Sequence, residues 1–185
     1  MPLASPLSYS NPKLQSDLAN QNSPRLSGTA ARLLVSPCAI PSGADIGDLL
    51  SIEGRAIRQA YQGNGVGKLA LVDLVDTYDI QAAASVTRNP AIPRLMRTAF
   101  SIVSPDPANA DPLHAYQNNS QVRAFTEVYA EHIGATTATL PIVPGRYEGG
   151  LYGYADPGLA MGIPEIESSN ESGVIMVAVN RRGDI

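Results

Sequence analysis

Two histidines, His114 and His132, could move protons near neutral pH. His114 follows Asp111 by three residues and His132 directly follows Glu131, so either could work as a general base beside a carboxylate. Neither shows the His-x-x-x-His spacing of a metal pair, and with the distant Cys38 they make a poor zinc set. A histidine at the end of a helix, as His132 is predicted to be, is explained by the helix dipole alone. Asp73, Asp76 and Asp79 offer carboxylates to a divalent cation, but the glycine and the closing glutamate of an EF-hand loop are missing. They read as a solvated acidic face. Gly63-Asn-Gly-Val-Gly-Lys68 invites comparison with phosphate loops, yet Gln62 and Leu69 stand where a P-loop needs glycine and serine or threonine. As a dinucleotide fingerprint it places the third glycine one residue early, and no clear strand-to-helix context surrounds it. A turn is the expectation. Cys38, in Val35-Ser-Pro-Cys-Ala-Ile40, reads as a small buried hydrophobe, and no Gly-x-Ser-x-Gly elbow is present.

The remaining constellation is Arg146-Tyr-Glu-Gly-Gly-Leu-Tyr-Gly-Tyr154. Tyrosine offers a large contact area and a hydroxyl with little rotamer freedom to lose, which suits interfaces. Arg146, Tyr147, Tyr152 and Tyr154 are therefore candidates for a subunit contact or a glycan-contacting loop. The plainer alternative is a turn with packed tyrosines. Arg182-Gly-Asp184 is read as a chance tripeptide, and the glycosylation sequons at Asn118 and Asn170 mean nothing without export.

These residues must be held by short elements, because 15 prolines and 16 glycines punctuate the 185 residues. Arg32 to Val35 is a short apolar run. Gly47 to Ile52 and Ala56 to Ala60 resemble a hairpin about Glu53-Gly54, with a helix over 55–61 as the alternative. Residues 68–81 fit either period. A helix would gather the three aspartates on one face; a strand would place Val72, Leu74, Tyr78 and Ile80 together. Branched and aromatic content favours strand. Leu95, Met96, Ala99, Phe100 and Val103 trace a helical stripe over 93–103, started by Pro93 and ended by Pro105. Ser120 is the expected N-cap of a second helix over 120–133, with Val122, Phe125, Val128, Tyr129 and Ile133 as its apolar face and Gly134 as its C-terminal stop. Thr136 to Val143 reads as strand before a Pro-Gly turn, and Val174 to Val179 as a buried strand.

Ahead of this body lies a different texture. Residues 1–28 carry Pro2, Pro6, Pro12 and Pro24 among Ser, Asn and Gln, with leucines spaced at Leu3, Leu7, Leu14, Leu18 and Leu26. Asn11-Pro12 could start a short helix with Leu14 and Leu18 on one face. Alone, such a segment buries too little apolar surface to offset its ordering entropy. It is expected to be an extended arm that docks its leucines on a neighbouring subunit; the alternative is a tail without fixed structure. The domain reading is an arm over 1–28 and one β-rich body over 29–185.

A net charge of −4, with Lys13 and Lys68 the only lysines, argues against general nucleic-acid binding. A single cysteine excludes an internal disulfide framework, and no signal-peptide or transmembrane-length run is visible, so synthesis in a cytoplasm is expected. The fold expectation is mainly β with one or two helices (α+β), as a compact barrel- or sandwich-like body behind the arm. No metal, cofactor, nucleic acid or membrane partner is expected.

Ile46-Gly-Asp-Leu-Leu-Ser-Ile-Glu-Gly54, and Gly158-Leu-Ala-Met-Gly-Ile163 followed by Gly173-Val-Ile-Met-Val-Ala-Val179, resemble the short barrel strands of tailed-phage head decoration (cement) proteins. These segments cover under a third of the chain, and the helices at 93–103 and 120–133 depart from the pattern. What the resemblance implies is a virion structural subunit without enzymatic activity, bound to copies of itself or to a major capsid protein and stabilising the shell. The helices leave a capsid, vertex or connector protein open. Two other classes compete: a small enzyme using His114 or His132, and a carbohydrate-binding module of a fibre or spike using the 146–154 loop.

Overall fold

The computed structural model describes residues 31–37, 49–57, 65–147 and 161–180. In chain order the strands are β1 (Ala31–Pro37), β2 (Leu49–Ile57), β3 (Ala82–Thr87), β4 (Ile102–Ser104), β5 (Ile142–Val143) and β6 (Gly173–Val179). The helices are α1 (Val66–Tyr78), α2 (Ala91–Met96), α3 (His114–Asn118), α4 (Ser120–His132) and α5 (Pro164–Glu167). The strands form one open mixed sheet in the order β1-β2-β3-β6-β4, with β5 also pairing β6. β2 and β3 are parallel and are joined through α1, as a parallel pair requires a crossover. β1 runs antiparallel to β2, while β6 runs antiparallel to β3, β4 and β5. β4 covers Val177–Val179 and β5 covers Gly173–Val174, so the two lie end to end along one edge of β6.

Alternation along β6 explains why its whole run is apolar. Met176 and Ala178 point into a cluster with Leu50, Ile52, Ala83 and the buried sides of α1 and α2. Ile175, Val177 and Val179 point the other way, onto Val122, Phe125 and Tyr129 of α4. Helices cover both faces, and every residue of β6 is buried. A third, smaller cluster of Met161, Ile163, Ile166 and Val174 closes the end of the sheet where β6 begins.

Helices and strands do mix as expected, but the chain is not mainly β with one or two helices: five α-helices are present among the described residues, and the barrel- or sandwich-like arrangement is replaced by a single sheet between helical layers. Residues 66–78 are helix, not strand. Ala70, Leu71, Leu74, Val75 and Tyr78 are all buried, a 3.6-residue stripe that no strand could bury on one side. Asp73, Asp76 and Thr77 take the outer face. Gly65 (φ 73) opens the helix and Asp79 (φ 49) closes it in the left-handed region, donating its N–H to the Val75 carbonyl.

Glu53-Gly54 is not a hairpin turn but lies inside β2, whose pairing to β1 slips between Leu34 and Val35: Leu34 faces Gly54, and Val35 faces Ile52. Glu53 is the extra residue of this bulge, and a glycine beside a bulge is a common strand feature that mimics a turn in sequence. The helix expected through Val103 stops at Met96, with Pro93 in its third position, where a missing N–H costs nothing. Met96, Phe100 and Val103 do share a core, but helix, turn and β4 deliver them in succession. Thr136 to Val143 yields only a 3-10 turn over Thr137–Thr139 and the two residues of β5. The helix over 120–132 stands as expected except at its start. Asn119, not Ser120, is the cap, its Oδ1 accepting the Val122 N–H at 3.0 Å. Gly134 (φ 68) follows its C-terminal end in the conformation a helix stop needs.

Candidate functional site

The expected loop over 146–154 begins where β5 turns away from β6. Pro144 and Gly145 form the turn, Gly145 with φ 67, and this aims Arg146 outward and Tyr147 back onto the sheet. Tyr147 is fixed at three points. Its N–H donates to the Glu171 carbonyl at 2.9 Å. Its hydroxyl donates to the Val86 carbonyl at 3.2 Å. Its ring edge lies on Gly173, where an added Cβ would come within 3.0 Å of Tyr147 Cε2. Burial raises the Tyr147 phenol above its ordinary pKa, with the Arg146 and Arg88 guanidinium groups pulling partly back. The raised pKa agrees with the hydroxyl's place as the donor to the Val86 carbonyl.

Arg88 stands beside this anchor. It leaves β3 through Thr87, whose hydroxyl oxygen accepts the Asn89 N–H at 3.0 Å, and its guanidinium bridges two carbonyls. Nη1 donates to Ser169 at 2.7 Å and Nη2 to Ile166 at 3.1 Å. A planar fork suits this double contact, which an ammonium would not reproduce. Ile166 is the buried residue of α5, one before its last, so Arg88 secures the carbonyl end of that helix turn to the sheet. Nothing in the sequence of Arg88 distinguishes it from the other arginines; a partner 78 and 81 residues away is not legible locally. Tyr147 is thus fastened to Val86 and Gly173, while Met161 packs in the cluster with Ile163, Ile166 and Val174. Tyr152 and Tyr154 lie outside the described residues, as do Leu3, Leu7, Leu14, Leu18, Leu26 and Cys38.

The other chemistry-bearing residues are not gathered with Tyr147. His114 is exposed at the start of α3, its Nδ1 3.2 Å from Asn118 Nδ2 one turn on. His132 is exposed at the end of α4, its ring centroid 6.0 Å from that of Tyr129. Each histidine has its polar or ring partner on its own helix, and the geometry gives the general-base reading no support. Asp73, Asp76 and Asp79 are exposed along α1, and Asp79 Oδ1 accepts from Gln81 Nε2 at 2.8 Å. Among the described residues no group of three or more His, Cys, Asp or Glu side chains could hold a metal ion.

Contrary to the expectation of no strand-to-helix context, the glycine run follows β2 and runs into the first turn of α1, and β3 returns parallel to β2. Gly65 supplies the positive φ before α1, and Lys68 is exposed in its first turn. The substitutions at Gln62 and Leu69 still remove the residues that would hold phosphate and magnesium in a P-loop.

Arg97 and Asp106 form a further polar contact, Nη1 to Oδ2 at 2.6 Å. Asp106 Oδ1 also accepts the Ala108 N–H at 3.0 Å, so this pair shapes the loop after β4. No helix among the described residues is long and apolar enough to cross a membrane. Comparison with known proteins gives no family model that matches the chain and no matching curated protein.

Proposed function

We propose that this chain is a structural subunit of a phage-type particle, binding neighbouring copies or a major capsid protein through residues 1–28. The observation that carries the reading is a contrast within one chain. The body packs helices on both faces of its sheet and leaves β6 wholly buried. The first 28 residues instead combine four prolines with five spaced leucines, a composition that gains order from a partner's surface and not from its own core. Docking them on a neighbour adds contact area without enlarging the body.

The reading keeps the virion as the site of action and synthesis in the host cytoplasm, with no catalytic step assigned. Its link to decoration proteins rests on the sequence resemblance alone, since an open mixed sheet replaces the barrel that resemblance implied. The carbohydrate-module alternative loses one of its tyrosines to packing, because Tyr147 is committed to Val86 and Gly173.

The test is removal of residues 1–28. The shortened chain should keep the circular dichroism and cooperative unfolding of the parent, while its sedimentation or its incorporation into particles collapses. Normal assembly by the shortened chain refutes the reading.

A further inference from the structure

Residues 161–172 are packed and bonded differently from the rest of the body. Met161, Ile163 and Ile166, each 2% exposed, form their own cluster with Val174, against which Leu113 and Ile142 pack. Neither of the two larger cores includes them. Most polar contacts of this segment stay within it. Ile166 and Glu167 donate their N–H groups to the Ile163 carbonyl, Ser168 donates to the Pro164 carbonyl, and the Gly162 N–H reaches Glu167 Oε1 at 2.9 Å. The Glu171 N–H donates to Ser169 Oγ at 3.2 Å. Among the described residues, the hydrogen bonds that cross to the body run from Arg88 to the Ser169 and Ile166 carbonyls and from the Tyr147 N–H to the Glu171 carbonyl. The segment joins no strand ladder, whereas β6, which follows it, is paired along both edges.

A unit with its own contacts and few bonds to its surroundings opens at a lower free energy than the whole fold. Closing this segment gains the burial of Met161, Ile163 and Ile166 and costs the ordering of its backbone, so the balance is closer than in β6, where every residue is buried and paired. Arg88 weighs heavily in that balance. It supplies both side-chain hydrogen bonds that cross to the segment, from a half-buried position at the end of β3.

We propose that residues 161–172 are a strap that opens and closes as one unit while the sheet and its helices stay folded, with the Arg88 guanidinium as its latch. Opening uncovers Val174, Ile142 and Leu113 beside a freed guanidinium. The open form therefore presents an apolar recess with a cationic edge that the closed form hides. The strap works in this way whether or not the assembly reading above holds.

The experiment uses the full chain carrying Cys38→Ser, with one buried cysteine introduced at a time, Ile166→Cys in the strap or Val177→Cys in β6. Each is reacted with a soluble aromatic disulfide under native conditions, where a buried thiol is labelled only when its surroundings open. Ile166→Cys should react about a hundredfold or more faster than Val177→Cys. Adding Arg88→Gln should speed Ile166→Cys about tenfold or more, since two hydrogen bonds from a charged donor are lost. Phe125→Leu loosens α4 on β6 in a cluster that contains no strap residue. It should speed Val177→Cys about fivefold or more and leave Ile166→Cys within about twofold, because α4 stays docked when the strap alone opens. Equal rates at the two cysteines, a rate at Ile166→Cys that rises with Phe125→Leu, or one unmoved by Arg88→Gln each overturns the proposal. Hydrogen exchange of the parent chain reads the same contrast without new cysteines. Peptides over 161–172 should exchange fully about tenfold or more sooner than those over 173–180, and only the latter should respond to Phe125→Leu. Equal protection of the two, or an equal response, overturns the proposal as well.

Discussion

Gly173→Ala probes a close approach at the start of β6. A Cβ at this position would lie 2.5 Å from Val86 Cγ1 and 3.0 Å from Tyr147 Cε2. The first distance is far inside contact, and Val86 is a stiff β-branched residue held in β3, so neither strand nor side chain can yield freely. Forcing a methyl into such a site costs about 1–3 kcal/mol. Pushing the Tyr147 ring outward also lengthens its 3.2 Å bond to the Val86 carbonyl, adding about 1 kcal/mol. A total of about 2–4 kcal/mol is large against a typical stability of about 5–15 kcal/mol. With a urea m-value of about 2 kcal/mol/M, the unfolding midpoint should fall by about 1–2 M. Repeating the substitution in a Val86→Ala background removes the nearest clash, so the same alanine should cost less there by about 0.5–3 kcal/mol. A midpoint unchanged by Gly173→Ala, or an equal cost in both backgrounds, refutes the packing argument.

Asn119→Ala should lower stability by about 1 kcal/mol, because it leaves the Val122 N–H of α4 without its cap, whereas Ser120→Ala should change the melting temperature little. Equal effects would contradict the cap assignment. The pH dependence of stability should carry the signature of Tyr147, whose folded pKa is raised by burial above the ordinary value of 10.0. The folded chain then retains a proton that the unfolded chain gives up. The stabilisation is complete below pH 10 and is lost as pH rises through the higher folded value. Melting temperatures measured from pH 8 upward should therefore drop more steeply in the parent than in Tyr147→Phe; parallel curves would contradict it.

What could be read from sequence follows the range of the interactions involved. Residues 174–179 are legible because burial on both faces needs an unbroken apolar run, and α4 because Val122, Phe125, Val128 and Tyr129 keep an exact helical period. The period of α1 is equally good, but Val72 and Val75 raise its β-branched content, and α1 in fact leaves Val72 half-buried beside its core stripe. β2 is disguised by Glu53-Gly54, whose turn chemistry is spent on a bulge against β1. The break at Met96 lies beyond any local rule: pairing of Ile102 with Val179 draws the chain into β4, overriding a helical stripe. The site shows the same division. Tyr147 was visible as a residue type, whereas its partners Val86 and Gly173 come from distant strands, and Arg88 is distinguished only by the carbonyls it reaches.

The position of β6 has a consequence for the order of events at the ribosome. It is the last described strand to be synthesised, yet it fills the slot between β3 and β4 and supplies side chains to both helical layers. Until residue 179 has emerged, the Ala-rich β3 has an open edge and α4 has only Leu49 of β2 and Ala82 and Ala84 of β3 to rest on. The nascent body is thus a split assembly awaiting a wedge, a high-contact-order topology that delays closure and leaves apolar surface exposed meanwhile.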